Sequence, residues 1–175
     1  SKVLYQLNKA VDYGVITIGE DAVYWKSGKQ ILSAPLSEEP LNFLVKYITE
    51  TDIVRRSFEL LKVGADAIYC PQGNKLIKAI TDEGIPVVGH SGFIPYKSTF
   101  YGGFKAFGKT ASEAKKIYDQ CMKLRDCGVF AIEIEIVPSK VAELISSNID
   151  VFMIGMGSGT GCDAQYLFAE DILGY

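Results

Sequence analysis

Glu133 and Glu135 stand two residues apart in the run Ala131–Val137, which reads A-I-E-I-E-I-V. In a strand this alternation puts both carboxylates on one face and Ile132, Ile134 and Ile136 on the other. An ionised carboxylate does not stay unpaired in an apolar interior, so such a face needs a partner, a cavity or a metal. Two carboxylates sharing a face push one pKa upward, toward the value a general base requires. The competing reading is an edge strand whose acidic face is merely solvated. His90 is the only histidine in the chain and follows Pro86-Val87-Val88-Gly89. That places it at the end of an apolar run, where parallel strands present side chains to ligands. It could equally be a buried histidine satisfied by a neighbouring carbonyl.

Two glycine-rich stretches also follow apolar runs. One runs from Gly89-His90-Ser91-Gly92 through Gly102-Gly103 to Gly108, and the other contains Gly155, Gly157 and Gly159. Glycine permits close backbone approach to a ligand, but it also makes tight strand-to-helix turns. Neither stretch completes a phosphate-binding fingerprint.

The elements that must position these residues follow from periodicity. Apolar, β-branched runs predict strands at Val15–Ile18, Phe43–Tyr47, Ala67–Cys70, Pro86–Gly89, Ala131–Val137 and Val151–Met156. Most read as buried on both faces, as in a parallel sheet. Between them, helical patterns cover Thr51–Lys62, Asn74–Glu83, Thr110–Cys127, Ser139–Ser147 and Asp163–Leu173. Thr110 and Glu113 form a capping-box signature, and Gly64, Gly84 and Gly128 stand where helices end. Alternating strands and helices predict an α/β fold with a parallel sheet. A closed (β/α)8 barrel takes about 250 residues, and this chain has 175. The expectation is therefore one domain over residues 1–175, either an incomplete TIM-type (β/α)8 barrel or an open doubly wound sheet.

Composition excludes several function classes. The chain is 48% hydrophobic and 22% charged with a net charge of -3, and its basic residues form no long run. This is an ordinary globular balance without the clustered cations that nucleic acid requires. No apolar stretch is long enough to span a bilayer and no signal peptide opens the sequence, so the expectation is a cytoplasmic protein without a membrane partner. The cysteines 70, 121, 127 and 162 lack metal-ligand spacing, which predicts reduced and mostly buried thiols.

Taken in order, IPVVGHSGFIP, FYGGFKAFGKT, AIEIEIVPSKVAELI and IGMGSGTGCDAQYLFAEDILGY resemble the ketopantoate hydroxymethyltransferase family, as does Val63-Gly64-Ala65-Asp66-Ala67. The resemblance runs from about Thr51 to the end. It implies a (β/α)8 barrel of the phosphoenolpyruvate mutase and isocitrate lyase superfamily. It implies transfer of a one-carbon unit from methylenetetrahydrofolate to a small α-keto acid, α-ketoisovalerate, giving ketopantoate for pantothenate biosynthesis. It further implies a bound Mg²⁺ stabilising an enolate, and a homo-oligomer.

By the family's E-x-V-P motif, Glu135 is the catalytic base, and by G-H-x-G-x-x-P, His90 contacts substrate. The resemblance implies a metal-binding acid at Glu20-Asp21, a role either acid could take; Glu20 is taken for the metal, with Asp21 and Ser91 toward the substrate. Several positions depart from the family. Glu20-Asp21 follow Ile18-Gly19 where the family has aspartate and serine, and no aspartate stands around Leu41-Asn42-Phe43, where a second metal aspartate is expected. Tyr69 and Pro71 occupy the places of a lysine and a glutamate, and Tyr96 that of a glutamine. These departures keep two alternatives open: a catalytically degenerate paralogue serving as a binding or assembly protein, and a related C–C lyase with another keto-acid substrate.

Overall fold

A computed structural model describes residues 16–18, 22–27, 30–35, 38–71 and 73–174. The chain divides into two compact units, Ser1–Arg56 and Ser57–Tyr175. In the first, β1 (Ile16–Ile18), β2 (Ala22–Ser27) and β3 (Gln30–Pro35) form a meander in the order β1-β2-β3. Both pairings are antiparallel, with Ile16 opposite Trp25 and Tyr24 opposite Ser33. The strand expected at Val15–Ile18 is thus present, but not as part of a parallel sheet.

The strand expected at Phe43–Tyr47 is a correction. Those residues lie inside α1 (Glu38–Lys62). A short apolar run cannot by itself be assigned to strand or helix. Here no glycine or proline interrupts the sequence between Pro40, tolerated in a first helical turn, and Gly64 beyond the end.

The second unit holds a five-stranded sheet: β4 (Ile68–Tyr69), β5 (Val87–Gly92), β6 (Ala131–Glu135), β7 (Phe152–Met156) and β8 (Ala164–Gln165). All four pairings are parallel and the order is β4-β5-β6-β7-β8. Sequential order is that of a (β/α) barrel segment. A doubly wound sheet reverses direction at a switch point, and no reversal occurs among the described strands, so the open-sheet alternative is set aside.

Helix α2 (Asn74–Asp82) connects β4 to β5. A short helix α3 (Ser98–Tyr101) and then α4 (Ala111–Asp126) lie between β5 and β6, and α5 (Ser139–Ser146) links β6 to β7. The capping box forms as the sequence predicts: Thr110 Oγ1 accepts from Glu113 N–H at 3.2 Å, and Glu113 Oε2 accepts from Thr110 N–H at 3.3 Å. Ile117, Cys121 and Leu124 recur at helical spacing and bury one face of α4. Opposite them, Ile132, Ile134 and Met153 are fully buried on the helix side of the sheet. Each such side chain contributes about 1.5–3 kcal/mol by leaving water.

The helix expected at Asp163–Leu173 begins later, as α6 (Ala169–Leu173), because Ala164–Gln165 adds β8 to the sheet. Asp163 does not start a helix. Its carboxylate accepts from Met153 N–H at 2.7 Å, tying the loop after β7 back to that strand. Cys70, Cys121 and Cys127 are buried, Cys162 is partly exposed, and all four are free thiols. No helix among the described residues is long and apolar enough to cross a membrane.

Candidate active site

Register decides which side chains meet. His90 pairs with Glu133 and Gly92 with Glu135 across β5 and β6, while Glu133 pairs with Ile154 and Glu135 with Met156 across β6 and β7. Registered partners in a parallel sheet share a face, so His90, Glu133 and Glu135 project together on the side away from the buried isoleucines. Glu135 ends β6 and His90 lies in the second half of β5, toward the functional end of a (β/α) barrel, while Glu133 sits at the middle of β6. Burial is nearly complete, at 3% exposure for His90, 8% for Glu133 and 6% for Glu135.

A cleft of about 580 Å³ opens over this face. Tyr69, Glu133, Glu135, Gln165 and Tyr166 supply its polar groups, and Ile154, Met156 and Phe168 much of its apolar wall. Apolar walls with a few convergent polar groups are the ordinary make-up of a small-molecule site. The edge-strand reading of Glu133 and Glu135 fails, because β6 has a neighbour on each side.

The hydrogen bonds of His90 fix its state. Ring Nε2 lies 2.6 Å from the carbonyl oxygen of Phe93, and a carbonyl only accepts, so Nε2 carries the proton. Nδ1 is then an acceptor, and it meets the Tyr69 hydroxyl. Burial lowers the His90 pKa; the Phe93 carbonyl opposes this and the nearby charge of Lys97 adds to it. The ring is therefore a neutral imidazole. Its contacts of 3.7 Å to Glu133 and 3.3 Å to Glu135 are not ion pairs.

Among the described residues no cationic side chain pairs with Glu133 or Glu135, and both carboxyls resist ionisation. Burial raises the Glu133 pKa. Burial, and then the charge of Glu133, push Glu135 up to about 7. A carboxyl at that value exchanges protons readily at neutral pH, which suits a general base.

The sequence-assigned residues divide three ways. Glu135 lines the cleft, and His90 lies 3.3 Å behind it without lining the cleft itself. Ser91 does not join them, because its side chain alternates to the helix side of β5. There it lies beside the Cys121 thiol, whose pKa burial pushes up to about 11 against the opposing Ser91 hydroxyl. Glu20 and Asp21 lie outside the described residues. The glycines after β7 pack rather than cradle: a Cβ on Gly159 would meet Ser139 Cβ at 2.4 Å, and one on Gly161 would meet Glu143 Cβ at 2.5 Å. Tyr69 is a contributor that the sequence marked only as a departure from a family lysine, with no role assigned to it. Its place beside His90 becomes visible only in the pairing of Tyr69 with Val88.

His90, Glu133 and Glu135 also offer donor atoms that all lie within 4.8 Å of one another, close enough to share an ion. They do not fit Mg²⁺ as they stand. Mg²⁺ takes oxygen ligands in near-octahedral geometry, and both ring nitrogens of His90 are already engaged.

The sequence model of a family described as ketopantoate hydroxymethyltransferase matches residues 39–175. The chain belongs to this family. It is 37% identical over 163 residues to the 3-methyl-2-oxobutanoate hydroxymethyltransferase of Clostridium botulinum, covering 91% of this chain and 59% of that one. It is 43% identical over 136 residues to the protein of the same name from Acetivibrio thermocellus, covering 75% and 48%. A third relative so named, from Nitrosopumilus maritimus, is 33% identical over 162 residues, covering 91% and 58%. The chain thus spans less than two thirds of the length of these family members. The parallel sheet of the second unit is the family's (β/α) barrel in part.

Proposed function

We propose that this chain is a hydroxymethyltransferase-like enzyme in which Glu135 removes the C3 proton of a small α-keto acid. The observation that carries this reading is the Glu135 carboxyl itself, held near pKa 7 at the wall of the cleft beside Glu133 and a neutral His90. In the step proposed, the C3–H electron pair passes into the C2–C3 bond, the keto oxygen takes up the charge, and Glu135 holds the proton. Methylenetetrahydrofolate and one water give tetrahydrofolate and formaldehyde; the enolate carbon adds to the formaldehyde carbon, and the C=O electron pair takes the proton held by Glu135 to become the product hydroxyl.

The neutrality of His90 matters here. A protonated imidazole 3.3 Å away would hold Glu135 ionised and depress its basicity. The substrates of this reading are α-ketoisovalerate and methylenetetrahydrofolate, the product is ketopantoate for pantothenate biosynthesis, and the setting is a cytoplasmic homo-oligomer. The reading treats residues 1–175 as part of one (β/α) barrel domain. Glu20 would hold Mg²⁺, with Asp21 toward the substrate, and the ion would supply Lewis-acid stabilisation of the enolate oxygen.

The test is solvent-deuterium uptake at C3 of α-ketoisovalerate. Wild type should exchange, and Glu135→Gln should lose at least about 100-fold while remaining folded, as expected when a general base is removed. Undiminished exchange in the variant would take Glu135 out of the mechanism. A second reading, a binding or assembly paralogue, draws on Tyr69 and Pro71 standing where the resemblance places a lysine and a glutamate. Absence of exchange by the folded wild type would favour it.

A further inference from the structure

Directly after Glu135 the chain does something unusual. Ile136 has φ +48°, and among the described residues it is alone among non-glycines in taking a positive φ. A β-branched residue is strongly disfavoured there, so the surrounding structure must impose the conformation. The groups that impose it can be named. Phe93 N–H donates to the Glu135 carbonyl at 2.9 Å, Ile136 N–H donates to the Met156 carbonyl at 2.8 Å, and Phe107 N–H donates to the Ile136 carbonyl at 3.0 Å.

The fourth fixed group is the N–H of Val137, and a side chain holds it. Ser158 Oγ accepts from Val137 N–H at 3.0 Å and lies 2.9 Å from the Ile134 carbonyl, to which its single proton is donated. The Met156 carbonyl is a longer alternative acceptor at 3.2 Å. Ser158 is 1% exposed. Its hydroxyl therefore spans the turn, touching backbone on one side of Glu135 at Ile134 and on the other at Val137.

We propose that Ser158 is a positioning residue for Glu135: by bridging Ile134 and Val137 it holds Ile136 left-handed and so aims the Glu135 carboxylate into the cleft. The assignment rests on Glu135 being the base. Ser158 has no path to the substrate of its own, since its hydroxyl is wholly engaged with backbone. Without the bridge, Ile136 relaxes toward an extended conformation and the strand end rotates. An ångström of misplacement at a reacting group costs up to about 100-fold in rate. Glycine adopts positive φ as readily as negative, so at position 136 it needs no bridge, and the three remaining backbone bonds suffice to hold the turn.

The experiment compares wild type, Ser158→Ala, Ile136→Gly and the double variant in C3 deuterium exchange with α-ketoisovalerate, together with the three-bond amide-to-Hα coupling at residue 136 by NMR. Ser158→Ala should lose kcat by roughly tenfold or more with KM changed less than about twofold, since substrate binding is untouched. Ile136→Gly should be near wild type, and adding it to Ser158→Ala should restore most of the lost turnover.

A folded Ser158→Ala variant with unchanged kcat overturns the proposal. So does a loss that glycine does not restore, which would make Ser158 only a buried hydroxyl supporting the sheet. Should the alanine variant not fold, Ser158→Cys keeps the volume with a poor acceptor and is read by the same criteria. If wild type shows no exchange, the base reading fails, and the coupling decides the bridge separately: it must change in Ser158→Ala, and an unchanged coupling overturns the bridge as well.

Discussion

Nε2 of His90 lies 3.3 Å from Oε2 of Glu135, yet the pair carries no full charge–charge attraction, because the imidazole is neutral. The kinetic consequence has a definite sign. Glu135 acts as a base only when deprotonated, and its pKa stands near 7. Exchange at C3 should therefore rise through neutral pH and level off above about pH 8, with a midpoint near 7. An ordinary exposed carboxylate, with a pKa of about 4.3, would already give a plateau at pH 6. A flat rate between pH 6 and 8 would show that Glu135 is not the titrating base.

The same shift burdens the fold. The folded state keeps Glu135 protonated up to about pH 7, whereas the unfolded chain releases that proton near 4.3. Between those values the native state binds more protons, so stability falls as pH rises and stays reduced above 7. Glu135→Gln removes the burden. Apart from the common cost of the substitution, it should gain on the order of 1–2 kcal/mol relative to wild type on going from pH 4 to pH 8, a figure reduced for solvent at the open cleft. Urea melts at the two pH values measure this. A difference between variant and wild type that does not change with pH would refute it.

Much of this was legible in the residues. The A-I-E-I-E-I-V alternation placed Glu133 and Glu135 on one face because strand periodicity is set by backbone geometry alone, and Thr110 with Glu113 announced the start of α4 for an equally local reason. What escaped depends on partners distant in sequence. Phe43–Tyr47 read as a strand because its short apolar run fits either element, and only continuity with residues 38–62 decides for helix. Ser91, placed at the substrate by the resemblance, faces away from His90 because adjacent residues in a strand point to opposite faces. The left-handed Ile136 was invisible, because the bonds that force it come from Phe93, Phe107, Met156 and Ser158.

Gly92 tests how tightly the strand end is built. It sits at φ +85°, and a Cβ there would lie 2.4 Å from the Glu135 carbonyl oxygen and 2.9 Å from Val137 Cγ2. The first contact is with backbone, which cannot swing aside as a side chain can. Gly92→Ala combines a disfavoured φ with a displaced β6 end, so it should destabilise by about 2–4 kcal/mol and reduce exchange in whatever fraction remains folded. Gly102→Ala shares the positive φ but meets nothing within 4 Å, so it should cost only the backbone strain, about 1 kcal/mol. Equal losses in the two variants would mean that the contact with Glu135 is not what requires glycine.

Metal binding separates the two carboxylate groups of the chain. Mg²⁺ favours oxygen ligands, keeps several waters, and is commonly held by one or two protein carboxylates together with its substrate. The β5–β6 cluster has its imidazole nitrogens committed and its carboxyl pKa values raised by burial, so it should be a poor Mg²⁺ site. Glu20 and Asp21 remain as the proposed contacts, and an α-keto acid adds two oxygens of its own. Calorimetric titration of the whole chain should therefore show weak Mg²⁺ binding alone and tighter binding with α-ketoisovalerate. Binding should vanish in the Glu20→Ala, Asp21→Ala double variant and persist in Glu133→Gln. The reverse pattern, with loss in Glu133→Gln and none in the double variant, would move the ion onto the β5–β6 cluster. It would also remove the argument that Glu135 is free to act as a base, because a cation beside it would hold it ionised well below pH 7.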